Sequence, residues 1–320
     1  LPATVPNLFA IPFEFDVSLV LNAHLLVMKA RYINLFTDFG FKKIFGEEVS
    51  KPILLDFLNA LLPVQSRIQS LSFKNAEHLG RTESDRKSLF DIYCEAENGE
   101  KFIVELQKAK QNFFKDRTVY YSTFPIREQA EKGTWDYNLK PVFCVGILDF
   151  TFDDYETEPE KSEVVHTIKL KNQHGKTFYE KLTYIYLEMP NFKKAEDELT
   201  SRLDEWLFLI RHLEDFQTVP PIYEDDHIFR AVLEKAEIAG FNSWEYESYE
   251  RSLREFRDMK GYMDTAFDEG KMEGKIEGKI EGILEGRKEI AKQMFAENVP
   301  MEIMMRYTGL SEDEIKALSQ

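Results

Sequence analysis

The sequence predicts an α/β fold: a mixed sheet flanked by helices, followed by an α-helical domain and a helical C-terminal tail. Three observations predict it. Two apolar strand patterns, 88–96 and 101–106, flank Glu97-Asn98-Gly99-Glu100, a hairpin signal. Residues 141–150 are continuously apolar, as a central strand covered on both faces must be. From Lys193 onward, apolar residues recur at helical spacing.

The elements follow in order. Residues 36–46 lead into a helical run in which Ile53, Leu54, Phe57, Leu58, Leu61 and Leu62 share a stripe, and Pro63 stops it. Residues 68–76 read as a short strand, and the hairpin comes next. Residues 110–132 carry a helix pattern that Pro125 disturbs and Gly133 ends. After the apolar strand, a second hairpin, 163–171 and 182–189, turns around Asn172-Gln173-His174-Gly175. Leu199, Leu203, Trp206, Leu207 and Ile210 form one apolar stripe, and two further helices are expected near 224–239 and 243–267.

The tail changes character. Gly270, Gly274, Gly278, Gly282 and Gly286 repeat every four residues, as do Glu269, Glu273, Glu277, Glu281 and Glu285. Met272, Ile276, Ile280 and Leu284 form a third series. On a helix each series is a stripe drifting by about 40° per repeat. Like charges at i,i+4 repel, and each Gly costs about 0.8–1 kcal/mol relative to Ala. This helix is expected to be weak alone and firm in a homo-oligomer formed through residues 267–320; a solvated tether is the other reading. Beyond it, three short helices at 290–295, 300–308 and 314–318 resemble a helix-turn-helix in outline. Its reading helix, Glu312-Asp313-Glu314-Ile315-Lys316, is acidic and unsuited to phosphate contact, so assembly is the expected role rather than DNA reading.

The net charge of −16 opposes a nucleic-acid partner only when the chain is taken whole. Residues 30–150 carry 17 Lys and Arg against 17 Asp and Glu, while residues 151–320 carry 23 against 38. The first folded region is therefore neutral and open to a DNA partner. No apolar run reaches the roughly 18–20 residues of a membrane span, so no membrane partner is expected. Two cysteines, Cys94 and Cys144, exclude a disulfide scaffold and a cysteine-built zinc site, and read as buried reduced thiols of a cytoplasmic protein. Residues 1–28 lack the basic start of a signal peptide and read as a disordered extension, or as sequence preceding a natural start at Met28. The domain reading is a core at 29–190, a helical domain at 191–266, and the repeat helix with its small helical tail at 267–320.

Candidate chemistry lies in the hairpin. Alternation puts Asp91, Tyr93 and Glu95 on one face of the first strand and Phe90, Ile92 and Cys94 on the other. On the second strand Ile103, Glu105 and Gln107 oppose Phe102, Val104 and Leu106. Register decides whether the acids meet. A two-residue Asn98-Gly99 turn pairs Glu97 with Glu100 and sets Asp91 against Leu106. A three-residue loop, with Gly99 in the left-handed region, pairs Ala96 with Glu100 and sets Asp91 opposite Glu105. Only the second register aligns the apolar sets and gathers the acids, and it is the one predicted. Two carboxylates so placed repel unless a cation or a shared proton intervenes.

An Asp on one hairpin strand, Glu-x-Gln on the next, and a following helix with Arg117 and Tyr121 resemble the PD-(D/E)XK nuclease superfamily. Within it, the chain resembles the Rpn group of recombination-promoting nucleases and transposases. The matching pieces are Thr37-Asp38-Phe39-Gly40-Phe41-Lys42, Phe90-Asp91-Ile92, Val104-Glu105-Leu106-Gln107, Arg117 with Tyr120-Tyr121, residues 141–150, Tyr186-Leu187-Glu188-Met189-Pro190 and the Glu-Gly repeat. They span residues 29–320. The resemblance implies a restriction-endonuclease-like core and a Mg²⁺-dependent DNA endonuclease of low sequence specificity, with Mn²⁺ as substitute, in recombination or mobile-element biology.

By this resemblance Asp91 and Glu105 hold the metal, with Asp38 as an additional carboxylate or as a helix N-cap. Gln107 stands where the superfamily usually has Lys. Its amide can orient water or phosphate but carries no charge, so more activation must come from metal and modest turnover is expected. Lys87, Lys108, Arg117 and Tyr121 are the expected DNA contacts, with Arg81, Arg86, Lys110 and Lys115 also placed to meet phosphates. The alternative is a catalytically weak or inactive nuclease-fold scaffold that oligomerises through its C-terminal helices. The presence of both acids and Gln107 favours the enzyme.

Overall fold

The computed structural model describes residues 30–74, 90–130, 133 and 135–318. The expectations for residues 1–28, and for Arg81, Arg86 and Lys87, lie outside the described residues. In chain order the elements are α1 (Asp38–Phe45), α2 (Lys51–Leu61), β1 (Leu71–Phe73), β2 (Ile92–Ala96), β3 (Lys101–Gln107), α3 (Phe114–Glu128), β4 (Val142–Leu148) and the short α4 (Glu158–Ser162). They continue with β5 (Val165–Lys171), β6 (Thr177–Glu188), α5 (Arg202–His212), α6 (Pro221–Glu224), α7 (His227–Ala236), α8 (Ser243–Ala296), α9 (Met301–Thr308) and α10 (Glu312–Ala317).

Among the described residues six strands form one mixed sheet, ordered β1-β2-β3-β4-β6-β5. β1, β2 and β3 are antiparallel neighbours, β4 runs parallel to both β3 and β6, and β5 returns antiparallel along β6. This is the α/β architecture the sequence predicts. A parallel β3–β4 pair needs a crossover, and α3 lies in it. α3 packs on the sheet through Phe114 and Phe124, against Phe90, Tyr93, Ile103, Cys144, Tyr184 and Tyr186. Two hydrogen bonds fix its rotation: Thr118 Oγ1 with the Tyr186 hydroxyl at 2.6 Å, and Ser122 Oγ with the Tyr184 hydroxyl at 2.8 Å. Ile92, Cys94, Phe102 and Val104 are buried on the other face, where Phe102 stacks on Phe143. Among the helices, Phe45, Phe57, Trp206 and Phe229 form an aromatic centre. Trp206, fully buried there, donates its indole N–H to Asp56 at 2.7 Å. Both cysteines are buried and free, and burial pushes both thiols up to about 12.

Several boundaries differ from the sequence expectation. Among the described residues of the strand pattern at 88–96, the ladder begins at Ile92. Phe90 therefore escapes the alternation and packs on the α3 side, against Tyr121 and Phe124, opposite to its predicted face. Pro125 is held inside α3 near its last turn, where it forfeits the bond an N–H would give the Tyr121 carbonyl. β6 begins at Thr177, five residues before the predicted start at Leu182, and a bulge at Lys169–Leu170 absorbs the register change. Residues 290–295 are the end of α8, not a separate helix.

The chain divides into two compact units, one ending at Leu253 and one from Arg254 to Gln320. The second unit carries the Glu-Gly repeat as uninterrupted helix. Its glycines Gly270 to Gly286 have open space beside them, and Met272, Ile276, Ile280 and Leu284 are exposed. Ala291, Met304, Leu310 and Ile315 then form a small core of their own. Gly309 (φ +70) makes the left-handed cap between α9 and α10, and Ser311 caps α10 reciprocally with Glu314. The acidic first turn of α10 thus complements the dipole of its own helix.

Candidate active site

The β2–β3 connection is the three-residue loop. The Ala96 N–H donates to Glu100 O and the Gly99 N–H to Ala96 O, both at 2.9 Å. Gly99 has φ +85, a conformation that glycine adopts without a Cβ penalty. The ladder pairs Cys94 with Phe102 and Ile92 with Val104. This is the predicted register; continued one step beyond the end of β2 it leads to Asp91 and Glu105. Their carboxylates are latched reciprocally by the facing backbone. The Leu106 N–H donates to Asp91 Oδ2 at 2.8 Å, and the Asp91 N–H donates to Glu105 Oε1 at 3.2 Å. Gly146 lies beside Glu105 on β4 and lets the Tyr186 ring close in: a Cβ there would meet that ring at 2.9 Å.

The two acids strain each other electrostatically. Burial, then the neighbouring Asp91 charge, pushes Glu105 up to about 8. Burial also raises Asp91, against the pull of the Leu106 N–H, Lys42 and Lys108, while Asp38 adds repulsion. Two acids latched to each other's strands with an unfavourable shared charge fit a hard divalent cation. Among the described residues no group of three or more His, Cys, Asp or Glu side chains is arranged to hold a metal ion. The donor set is therefore two acids, which suits an ion that keeps water and takes a phosphate oxygen. Glu95, also on this face, is paired with Lys101 at 2.8 Å and Lys74 at 3.2 Å.

Gln107 is buried, and both ends of its amide are engaged. Nε2 donates to Ala109 O at 2.8 Å, and Oε1 accepts from Arg117 Nη2. Arg117 also reaches Gln111 through Nη1, and its guanidinium lies over the rings of Phe114 and Tyr121, 5.4 and 5.8 Å from their centroids. Gln107 and Tyr121 thus hold Arg117 in place, and its charge acts on Glu105. Lys110 and Lys115 pair with Asp153 and Asp154. Asp38 is the first residue of α1 and not its cap. Thr37 caps the helix, its Oγ1 accepting from the Gly40 N–H at 3.0 Å. Asp38 instead binds Lys42 Nζ at 2.8 Å. The Lys42 charge favours the ionised form of both Asp91 and Glu105, an influence that sequence reasoning passed over. The i,i+4 spacing of Lys42 from Asp38 was the available signal.

No helix among the described residues is long and apolar enough to cross a membrane. No curated protein and no solved structure matches the chain. Residues 284–320 match the Rpn/YhgA-like nuclease family, C-terminal HTH domain. Residues 35–266 match the PD-(D/E)XK nuclease family transposase. The matched stretch holds the whole sheet and the paired acids, and a mixed sheet with flanking helices is the architecture of a restriction-endonuclease-like core. With most of its length inside that match, the chain belongs to the PD-(D/E)XK nuclease family transposases.

Proposed function

We propose that the protein is a divalent-metal-dependent DNA endonuclease of low sequence specificity, with Asp91 and Glu105 as the ion-holding pair and Asp38 beside them. The reciprocal latch between the two strands carries this reading, because it holds two acids against each other's strand and makes their shared charge unfavourable. Mg²⁺ or Mn²⁺ bound there supplies polarisation of a phosphate and a more acidic water. The chain's own part is orientation. The latch fixes the two acids, and the Gln107 amide fixes Arg117, whose charge lies within the field of Glu105. Lys108, Arg117, Tyr121 and Lys87 are the proposed DNA contacts. Family membership supports a nuclease or transposition-related role, and the helix-turn-helix match supports DNA as partner. Because the first turn of α10 is acidic, we assign phosphate contact to the first unit. In plasmid nicking with Mg²⁺, Asp91→Ala and Glu105→Ala are expected to lose cleavage by about a hundredfold or more while keeping the wild-type circular dichroism spectrum. A folded wild type that leaves plasmid intact puts the scaffold reading ahead.

Self-association through residues 267–320 is a second proposal, favoured by the exposed stripe of Met272, Ile276, Ile280 and Leu284. Glu and Lys series flank that stripe, so a second copy can answer both charge and apolar surface. Analytical ultracentrifugation is expected to give an oligomer for the full chain and a monomer for Ile280→Glu. A monomeric wild type at high micromolar concentration rejects it.

A further inference from the structure

Resting on the nuclease reading, we propose that a cleft between the β3–α3 and β4–α4 loops binds one unpaired base of the DNA, with the exposed Phe113 ring stacked on that base. The preferred substrate is then DNA that offers a base outside the helical stack, such as a bulge, rather than fully paired duplex.

The cleft has a volume of about 350 Å³, and Phe113, Phe114, Phe150, Phe152, Lys110 and Lys115 line it. Phe114 meets Phe150 edge to face with centroids 5.7 Å apart, and Phe150 meets Phe152 in the same way at 5.8 Å, so one wall is continuous aromatic surface. Lys110 and Lys115 are tied to Asp153 and Asp154, and Asp116 adds a further carboxylate. The cleft therefore has no excess of positive charge with which to draw a phosphate. What it offers is aromatic faces, and the base is the uncharged part of DNA that stacks on them whatever its identity. That tolerance agrees with low sequence specificity. The wall also continues toward the paired acids. The Tyr186 ring packs on Phe114 at 5.8 Å and on Phe152 at 5.6 Å, and it closes beside Gly146, the β4 partner of Glu105.

Packing does not account for Phe113. It is 79% exposed and holds φ +62, a conformation that costs a residue with a Cβ about 1–2 kcal/mol. Hydrogen bonds keep it there. The Phe114 N–H donates to Gln111 O at 3.2 Å, and the Arg117 N–H donates to Phe113 O at 2.9 Å. The Gln111 side chain is held by Arg117, which also holds Gln107 at the end of β3. Tyr137, another exposed aromatic at positive φ, packs on Trp135 with centroids 4.6 Å apart. Phe113 is instead an apolar ring kept in water by a strained turn tied to the strand of Glu105. Strain of this kind gathers where a ligand is contacted. Replacing the ring by hydrogen relieves the strain and removes the contact together, whereas loss of a packing residue lowers stability.

The test uses the full-length chain with a chelator present, so that binding is read without cleavage. Fluorescence anisotropy compares two labelled duplexes, one with a single bulged adenine and one with an abasic residue at the same place. They carry the same phosphates and differ by the base alone. Wild type is expected to bind the duplex with the adenine about tenfold more tightly. Phe113→Ala and Phe113→Gly are expected to bind both alike, Phe113→Tyr to keep the preference, and Phe113→Gly to melt no lower than wild type. Equal affinity of the wild type for the two duplexes overturns the proposal, as does a preference that survives in Phe113→Gly. A Phe113→Gly variant that melts several degrees lower makes Phe113 a packing residue and overturns it too. A wild type that cleaves plasmid but shows no preference removes the cleft reading alone. A wild type that prefers the unpaired adenine yet leaves plasmid intact with Mg²⁺ removes the nuclease reading, and the cleft stands.

Discussion

Glu105→Gln is expected to raise the melting temperature of the metal-free protein at pH 9 while removing metal-dependent cleavage. Glu105 is pushed up to about 8 in the folded protein from an ordinary value of 4.5. Below about pH 4.5 both folded and unfolded chains hold the proton, and wild type and variant match. Between about 4.5 and 8 the folded protein keeps a proton that the unfolded chain releases, so wild-type stability falls as pH rises. Above about 8 the loss is complete. Glutamine copies the protonated form and keeps an oxygen for the Asp91 N–H, so it escapes that loss. A shift from 4.5 to about 8 corresponds to a gain of about 5 kcal/mol at pH 9, or about 10 °C. Cleavage should fall by about a thousandfold, since a neutral amide is a poor ligand for a hard dication. Calorimetry at pH 4 and pH 9 with a chelator, beside nicking assays, checks both halves. Equal melting of wild type and variant at pH 9 would show that the two acids do not strain the fold.

Such opposed effects on stability and activity are characteristic of a site whose ligand is part of its design. The hairpin was legible in the sequence because two independent signals agreed: the Glu97-Asn98-Gly99 loop and the alternation of Cys94 with Phe102 on the apolar face. The central strand was legible because an apolar run at 141–150 has few other homes. Other features depended on geometry that spacing does not encode. The clasp of Gln107 on Arg117 is a choice among partners for one amide, made by the rotation of α3 on Tyr184 and Tyr186. The continuity of α8 follows from nucleation. Tyr249, Leu253 and Phe256 are buried, so a turn is already formed when the Gly-rich repeat begins, and propagation needs no new nucleus.

Gly40→Ala is expected to cost about 2–3 kcal/mol and to lower the melting temperature by about 5–10 °C, although alanine is the better helix former. A Cβ at Gly40 would lie 2.4 Å from Asn34 O and 2.7 Å from Thr37 Oγ1. Neither atom can give way cheaply. Asn34 O accepts from Thr37 Oγ1 at 2.7 Å, Asn34 Oδ1 accepts from the Phe36 N–H at 2.7 Å, and the Asn34 N–H donates to the Tyr249 hydroxyl at 3.0 Å. The turn from Asn34 to Gly40 is therefore a rigid frame, and α1 must move if the frame is to accept a methyl group. That motion carries Asp38 and Lys42 with it. Cleavage measured well below the melting temperature should consequently fall by more than the unfolded fraction explains. Gly240→Ala is the matched comparison, since open space surrounds Gly240 and the substitution should be neutral within about 0.5 kcal/mol. If the two variants melted together and cleaved equally, the Asn34–Gly40 turn would not be what holds the α1 face of the site in position.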